Sequence, residues 1–365
     1  MTSALPADRT PFDAALFRDS VQTVLDAFLE EQSERLAELG ADATALIAEA
    51  RVAVSGGKRL RAAFCHAGYR AIQPANAGTA EELALLRACA ALELLHASAL
   101  VHDDFMDASD TRRGRPATHR VFEASHREAG WAGDPVQYGA AAAILLGDLL
   151  LTWADEMLRR CGLPLERVSA ALDVFDLCRS EVVAGQFLDV SVQARGRADV
   201  ATAMTVLRYK SAKYSVERPL HIGAALAGAT PEQLTALTDF GLPLGEAFQL
   251  RDDQLGVFGD PALTGKPAGD DLVEGKRTVL VALALDAAPA AEAELLDGAL
   301  GSELSPEQVD ELRRIISSSG ADQQVEEMIE ALAAQSLEAL DRSPVDESAK
   351  GTLRDLAAAA TRRTT

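Results

Sequence analysis

Two aspartate-rich clusters are the residues in this chain best suited to chemistry. The first contains Asp103, Asp104 and Asp107, the second contains Asp252 and Asp253, and each ends an apolar, helix-like stretch. Because residues i and i+4 lie on one helix face, the carboxylates of a cluster are predicted to project together. Crowded carboxylates repel each other unless a cation lies between them. Mg²⁺ prefers a few carboxylates with water and phosphate oxygens, so the clusters predict a magnesium–diphosphate site.

The two clusters are unequal. Position 256 is glycine, so the second cluster lacks an i+4 carboxylate, and Asp252 and Asp253 must hold metal alone. Gln249 precedes them on a neighbouring stripe of the same predicted helix. Taken singly, either cluster is also consistent with a solvated acidic helix end, which the two arginines after the first cluster could cap. The occurrence of both in one chain favours the metal site.

Basic residues are placed to balance these acids. The run Gly56–Arg61 puts two glycines before a helix predicted from residue 58, with Lys58 and Arg61 on one face, as in a phosphate grip. His96 lies two helical turns before Asp103 on the same predicted face, although a lone histidine there is more often a core residue. Four lysines are further candidates, although most lysines are solvated surface charges: Lys210, Lys213, Lys266 and Lys276.

Composition points to an all-α protein. The 365 residues are 48% hydrophobic but only 5% aromatic, with few β-branched runs. The net charge of -21 argues against a nucleic-acid-binding surface, which needs cations. The four cysteines have no CxxC spacing and are predicted to be buried, reduced thiols. With no signal segment and no uncharged apolar run long enough to span a bilayer, the chain is predicted to be cytoplasmic, without an integral membrane segment.

The 3.6-residue period predicts a single all-helical domain over 12–365, after a flexible N-terminal arm of residues 1–11. A long glycine-rich loop is predicted over 256–275, followed by shorter helices to about residue 361. The main helices are predicted at 14–39, 42–54, 58–73, 80–106, 116–128, 136–161, 166–193, 199–226 and 231–255.

Six ordered motifs between about residues 50 and 280 resemble those of the trans-isoprenyl diphosphate synthases, the polyprenyl synthetase family. They are GGKRLR, ELLHASALVHDDFMD followed by RRG, GQFLD, KSAK, FQLRDD and GKPAGDDLVEGKRT. The chain is most similar to a bacterial short-chain geranylgeranyl diphosphate synthase. The resemblance implies an isoprenoid synthase-type bundle of antiparallel helices around a deep central cavity, usually in a homodimer. It also implies a prenyltransferase that condenses isopentenyl diphosphate with an allylic diphosphate.

The resemblance implies a role for individual residues. Three Mg²⁺ ions are expected, two at Asp103 and Asp107 and a third at Asp252, with Asp104 and Asp253 completing the clusters. The allylic diphosphate is expected to bind Arg112, Lys210, Lys266 and Gln249. Isopentenyl diphosphate is expected to bind Lys58, Arg61, His96 and Arg113. Ser211 is expected near the developing cation. The chain departs from the family pattern at Gly256, usually aspartate, and at Ala62, usually proline.

Product length is expected to depend on residues one turn before the first cluster. Ser98 and Ala99 are both small, whereas a farnesyl-length enzyme is expected to have an aromatic residue there. One helical turn of about 5.4 Å is close to the length of one isoprene unit. With small residues at 98 and 99, the side chain that stops the growing prenyl chain is therefore expected at Leu95 or beyond. The first motif also lacks the two-residue insertion of bacterial farnesyl synthases. These features predict geranylgeranyl diphosphate, C20, with farnesyl or products of C25 and longer as alternatives.

Two other classes share part of this pattern. A terpene cyclase has a DDxxD motif but binds no isopentenyl diphosphate, and the GGKRLR run argues against it. A non-catalytic subunit of a heteromeric synthase is expected to have lost aspartates from the first cluster, and here all three are present.

Overall fold

The computed structural model describes residues 12–73, 79–197, 199–259 and 269–361, so the predicted N-terminal arm lies outside the described residues. The helices are α1 Ala14–Leu36 with a 3-10 turn Ala37–Leu39, α2 Ala41–Ala53, α3 Leu60–Ile72, α4 Ala80–Met106, α5 Thr118–Ala129, α6 Pro135–Arg159, α7 Leu165–Arg195, α8 Val200–Val206, a π-helix Leu207–Glu217, α9 Arg218–Leu226, α10 Pro231–Phe258, α11 Asp270–Val273, α12 Val279–Ala287, α13 Ala290–Ala299, α14 Pro306–Ser318, α15 Ala321–Arg342 and α16 Glu347–Thr361. The predicted all-α isoprenoid synthase-type bundle is confirmed.

Two local features were not predicted. The stretch predicted as one regular α-helix over 199–226 contains the π-helix at its centre. The prediction of a continuous 3.6-residue period is therefore wrong for Leu207–Glu217. A short antiparallel hairpin, β1 Thr111–Arg112 and β2 Arg115–Pro116, follows the first acidic cluster. Its turn residues Arg113 and Gly114 both have positive φ, 53° and 73°, as a two-residue hairpin turn requires.

Helix α4 lies at the centre of the larger hydrophobic core. Leu85, Leu92 and Leu94 are fully buried, and the helix packs against α3 and α6. Burial on most sides explains why the sequence of α4 is apolar nearly all round rather than along one stripe. Its C-terminal end, with Asp103 and Asp107, is therefore held by a rigid scaffold.

Helix α10 joins two cores. Its first half contributes Phe240 and Leu244 to the larger core, and its second half contributes Leu250 and Val257 to a smaller one. The smaller core is completed by residues of α12, α14 and α15. The second acidic cluster thus lies on the half of α10 that packs against the smaller core.

The four cysteines are free and buried, which confirms the prediction of reduced core thiols. Within the described residues, α4 and α6 are long and apolar enough to cross a membrane by length and composition. The core helices of soluble proteins can be equally long and apolar. The most apolar stretch of α4 is 72% buried in the protein, whereas that of α6 is 33% buried. The prediction that no segment spans a membrane stays a prediction, and α6 presents an apolar outer face.

Candidate active site

The first acidic cluster lies at the C-terminal end of α4, where the helix dipole adds partial negative charge. Asp103 accepts hydrogen bonds from Gln186 Nε2 at 3.0 Å and from Lys210 Nζ at 3.2 Å. Asp107 is the C-cap residue; its side chain is only 3% exposed and its Oδ2 lies 3.6 Å from Lys276 Nζ. Two lysine ammonium groups therefore supply the positive charge that the clustered carboxylates need.

The two carboxylates of this cluster titrate differently. Burial opposes ionisation of Asp103, but the charges of Lys210, Lys276 and Arg112 outweigh it and hold its pKa below the usual range. Burial and the negative charge of Asp103 raise the pKa of Asp107 to about 6. One carboxylate is thus firmly ionised while its neighbour is poised to ionise fully when a cation arrives.

Asp104 pairs with Arg112. Its side chain is 5% exposed, and its Oδ1 accepts hydrogen bonds from Nε of Arg112 at 2.7 Å and from Nη2. The prediction that Asp104 binds metal stays a prediction, and this geometry favours another role for it. A buried carboxylate in a two-pronged contact with a guanidinium fixes the orientation of that guanidinium. Asp104 is well placed to position Arg112.

The hairpin after α4 directs two arginines to different sides. Arg112 turns back to the first cluster, with its Nη2 3.7 Å from Asp103 Oδ2. Arg113, in the turn, donates from Nη1 to the carbonyl of Ser55 at 2.8 Å. A Cβ on Gly57 would lie 3.1 Å from Nη2 of Arg113, so the glycine leaves room for this contact. The tight turn thus splits adjacent arginines between the two predicted diphosphate subsites.

The π-helix supplies Lys210 to the cluster. Its Nζ donates to Asp189 Oδ2 at 2.6 Å as well as to Asp103. Two glycines on neighbouring helices pack closely against the backbone around Lys210. A Cβ built on Gly185 would lie 2.4 Å from the N atom of Lys210, and a Cβ built on Gly245 would lie 2.5 Å from the carbonyl oxygen of Ala212. Such close approach holds an otherwise rare helix type, which is frequent at functional sites. Ser211 follows Lys210 in this helix and is half-buried.

The second cluster lies on one turn of α10. Gln249 Nε2 donates to Asp253 Oδ1 at 2.7 Å, one turn away. Burial, with the charges of Asp271 and Asp252, raises the pKa of Asp253 to about 8. A carboxyl group that is difficult to ionise without a counter-ion marks a place where a cation is favourable.

Lys276 lies between the first cluster and Asp271. Its Nζ lies 3.6 Å from Asp107 Oδ2 and 3.4 Å from Asp271 Oδ1, and it pairs with Glu274. Burial opposes its charge, but Asp271 and Glu274 raise its pKa well above the usual value. Ser109 Oγ donates to Glu274 at 2.8 Å, which ties the loop after α4 to the same group. The charge of Lys276 also opposes the rise in the pKa of Asp253, so this ammonium group acts on carboxylates of both clusters.

The donor set fits Mg²⁺ bound together with a phosphate ligand. Among the described residues, no three His, Cys, Asp or Glu side chains form a complete metal site. Mg²⁺ usually takes one or two carboxylates and fills its octahedral shell with phosphate oxygens and water. Carboxylates of Asp103 and Asp107 on one side and Asp252 on the other are suited to such partial coordination, and Lys276 marks the cation-favouring space between them.

A second basic subsite lies one turn after Lys210 along the π-helix. Arg61 donates to Ser215 Oγ at 2.8 Å, and its guanidinium stacks 4.2 Å from the ring centre of Tyr214. The Oη of Tyr214 is hydrogen-bonded to Nδ1 of His96 at 2.8 Å. Burial and the charges of Arg61, Arg113, Arg112 and Arg59 lower the pKa of His96 well below its usual value. The buried Nε of Arg61 has no partner among the described residues, as expected for a donor that awaits an anion.

The helix in the GGKRLR run begins later than predicted. The helix begins at Leu60, and Arg59 before it has a left-handed backbone, φ 55°. The prediction that Lys58 and Arg61 share a helix face is therefore wrong, because Lys58 lies in the exposed loop before α3.

Two buried residues fix this loop. Arg59 Nη1 pairs with Glu93 Oε2 at 3.1 Å, and the N–H of Ala62 donates to Glu93 Oε1 at 3.2 Å. A proline at position 62 has no N–H to donate, so alanine at this family position anchors the first turn of α3 to Glu93 of α4.

Several predicted residues remain to be placed. Leu95 and Ser98 are buried in α4, whereas Ala99 is half-buried against the larger core. Lys266 lies outside the described residues, as do the arginines at 362 and 363.

The sequence analysis assigned no role to several side chains of the site. These are Gln186, Asp189, Tyr214, Ser215, Asp271 and Glu274. Four of them stand within the quoted motifs GQFLD and GKPAGDDLVEGKRT, which was the available signal. Tyr214 and Ser215 directly follow KSAK and had no such signal.

The pattern that describes the polyprenyl synthetase family matches residues 45–318. The chain belongs to the polyprenyl synthetase family. The predictions of a trans-isoprenyl diphosphate synthase family and of a trans-prenyltransferase enzyme are thereby confirmed.

Individual members of the polyprenyl synthetase family resemble the chain over most of its length. A crystal structure of geranylgeranyl pyrophosphate synthase from Corynebacterium glutamicum, complexed with isoprenyl diphosphate and magnesium, shares 41% identity and a TM-score of 0.93, covering 97% of this chain and 100% of that one. A short chain isoprenyl diphosphate synthase of Methanothermobacter thermautotrophicus is 34% identical over 77% of this chain and 80% of its own. A geranylfarnesyl diphosphate synthase of Aeropyrum pernix is 33% identical over 81% and 87%.

Proposed function

We propose that this polyprenyl synthetase is a magnesium-dependent geranylgeranyl diphosphate synthase, which extends an allylic diphosphate with isopentenyl diphosphate to a C20 product. The observation that carries the proposal is the pair of acidic clusters on α4 and α10, with Lys276 acting on carboxylates of both clusters and with two separate basic subsites beside them. The magnesium complex of the Corynebacterium glutamicum enzyme supports the metal.

The residues around the first subsite bind and activate the allylic diphosphate. Arg112 and Lys210 contact its phosphates, with Lys266 as a further predicted contact. Asp103 and Asp107 would hold two Mg²⁺ ions and Asp252 a third, and bound Mg²⁺ would supply positive charge against the leaving diphosphate. When the C–O bond breaks, both electrons leave with the diphosphate, and an allylic carbocation remains. Fixed positive charges that meet the charge developing on the leaving group lower the barrier to this step.

The second subsite presents the nucleophile. Arg61, His96 and Arg113, with Lys58 from the loop, hold the diphosphate of isopentenyl diphosphate so that its double bond faces the cation. The π electrons form the new C–C bond, and the resulting cation loses a proton to the released diphosphate. Ser211, beside Lys210, is proposed to lie near the developing charge. Neutral His96 serves as a hydrogen-bond donor to phosphate through one ring nitrogen, because burial among arginines disfavours its protonation.

Purified protein with Mg²⁺, labelled isopentenyl diphosphate and C5, C10 or C15 primers tests the proposal directly. We expect incorporation that requires Mg²⁺ and ends at C20 in chromatography of the dephosphorylated products. A product that stops at C15, or continues to C25, would overturn the chain length. An absence of incorporation with every primer would overturn the activity, and release of cyclic hydrocarbons from prenyl diphosphate alone would show a terpene cyclase.

The proposed product length depends on small residues in α4. Ala99 lies one turn before Asp103 and is half-buried, so a larger side chain there would enter the space along the helix. Ala99→Phe, or Ser98→Phe, is expected to shift the main product from C20 to C15. Ser98 is 3% exposed, so overpacking at that position is expected to cost about 1–3 kcal/mol of stability. Ala99→Leu is the control of intermediate size, and an unchanged C20 product from Ala99→Phe in a folded protein would place the wall elsewhere.

We also propose that the enzyme is a homodimer whose interface includes α6 and α7. An apolar stripe lies on the outer side of α7, where Val183, Phe187 and Val190 are 62%, 73% and 38% exposed at positions i, i+4 and i+7. On α6, which packs beside it, Ile144 and Leu145 are 44% and 62% exposed. Such contiguous apolar surface favours association.

Phe187→Glu is expected to convert the dimer to a monomer, because a buried carboxylate in an apolar interface lacks a partner. Light scattering after size-exclusion chromatography measures the mass. Leu39→Glu is the matched control, since Leu39 is 67% exposed but lies away from the stripe. A wild-type protein that is monomeric, or a Phe187→Glu variant of unchanged mass, would contradict the proposed interface.

A further inference from the structure

Gly256 occupies a position in α10 where the backbone does not require glycine. It lies within Pro231–Phe258, and its φ is not among the positive values in the chain. Glycine in a helix interior costs about 1 kcal/mol relative to alanine, so its presence here points to a demand for space.

The carboxylate of Asp271 fills that space. A Cβ built on Gly256 would lie 2.0 Å from Oδ2 of Asp271 and 2.5 Å from its Cγ. Distances below 3.0 Å between a Cβ and another heavy atom are essentially never found. A side chain at position 256 and the present location of Asp271 therefore exclude each other.

Position 256 is also the place where the second cluster lacks a carboxylate. It is i+4 from Asp252 and shares its helix face. Asp271, from a segment that follows α10 in the chain, thus places its carboxyl group where the Cβ of a residue at position 256 would lie. Its Oδ1 lies 3.4 Å from Lys276 Nζ, the group that also reaches Asp107, so the carboxylate faces the space between the clusters.

Local packing holds Asp271 at this position. The next residue, Leu272, is fully buried in the smaller core, and its carbonyl accepts a hydrogen bond from Gly301 N at 3.0 Å. The carbonyl of Asp271 accepts from the N–H of Lys276 at 2.9 Å. The carboxylate is therefore fixed by the fold and not carried on a free loop.

We propose that Asp271 supplies the third carboxylate of the second acidic cluster, in exchange for the side chain absent at Gly256, and serves the magnesium ion held by Asp252. This inference rests on the proposed function, since it assigns a further residue to the same magnesium–diphosphate site. It makes Gly256 and Asp271 a matched pair, because the carboxylate of Asp271 can lie where it does only while position 256 has no side chain.

Calorimetric titration of inorganic diphosphate into the purified protein, with and without Mg²⁺, tests the exchange without turnover. Asp271→Asn is expected to weaken the magnesium-dependent binding by about 10- to 100-fold, as loss of a metal-supporting carboxylate does. Asp270→Asn removes the same charge one residue away and is expected to leave binding unchanged. Thermal unfolding of each variant confirms that it is folded.

Two variants at position 256 sharpen the test. Gly256→Ala is expected to weaken binding as Asp271→Asn does, because its Cβ displaces the carboxylate without removing it. The double variant Gly256→Asp with Asp271→Ala is expected to recover most of the affinity lost in Asp271→Ala. Wild-type-like binding by Asp271→Asn, or a double variant no better than Asp271→Ala, would overturn the exchange. Wild-type protein without magnesium-dependent binding would overturn the exchange and the proposed metal site together.

Discussion

Asp103→Ala is expected to lower the turnover number by at least about 10³-fold, which corresponds to roughly 4 kcal/mol in the barrier. The substitution removes a firmly ionised carboxylate that contacts Lys210 and Gln186 and that we assign to two magnesium ions. Asp252→Ala is expected to have a similar effect from the other side of the leaving group. Steady-state rates at saturating substrate and magnesium measure both.

A nearby aspartate, which is exposed and paired with an arginine, provides a matched control for this prediction. Asp110 follows the first cluster closely, but its side chain is 77% exposed and pairs with Arg120. Asp110→Asn is expected to retain wild-type turnover. If Asp103→Ala or Asp252→Ala were folded and turned over at near wild-type rates, the assignment of metal to these clusters would be wrong.

Lys210→Ala is expected to lower the turnover number by about 10²-fold, or roughly 2.7 kcal/mol in the barrier. Among the described residues, only the ammonium group of Lys210 contacts both Asp103 and Asp189. Without it, two partly buried carboxylates lose a shared partner, and the leaving diphosphate loses a fixed positive charge. The melting temperature is expected to fall as well, since removal of one member of a buried ion pair is destabilising.

The conservative variant separates these two consequences. Lys210→Arg keeps the positive charge and the ion pairs but cannot place a compact ammonium in the same position. It is expected to restore most of the melting temperature and only part of the turnover. Full recovery of turnover by arginine would show that Lys210 acts through charge alone, and unchanged turnover in Lys210→Ala would remove it from the site.

The sequence was informative where periodicity or composition carries the signal. Helix α4 was predicted over the residues that the structure shows, because its apolar positions recur over seven turns and end in the aspartates. Pairing of the clusters, the reduced cysteines and the all-α fold were predicted on the same basis. The helical spacing placed Gln249 on a neighbouring stripe one turn before Asp253, and the structure shows a hydrogen bond between the two side chains.

The rest depended on contacts that have no local sequence signal. The π-helix is enforced by Gly185 and Gly245, which approach it from two other helices, so its own residues do not reveal it. The hairpin that separates Arg112 from Arg113 needs positive φ at an arginine, which propensity disfavours. Asp271 reaches the position of residue 256 because α11 packs against α10, a contact between separate helices that the sequence does not show.

The most direct test of the central claim is a crystal structure with Mn²⁺ and an allylic diphosphate analogue that cannot ionise, in which anomalous scattering locates the metal ions. We expect three ions around one diphosphate, two at Asp103 and Asp107 and one at Asp252, with Lys276 moved from its place between the clusters. Ions bound at only one cluster, or a diphosphate held without metal between α4 and α10, would contradict the account.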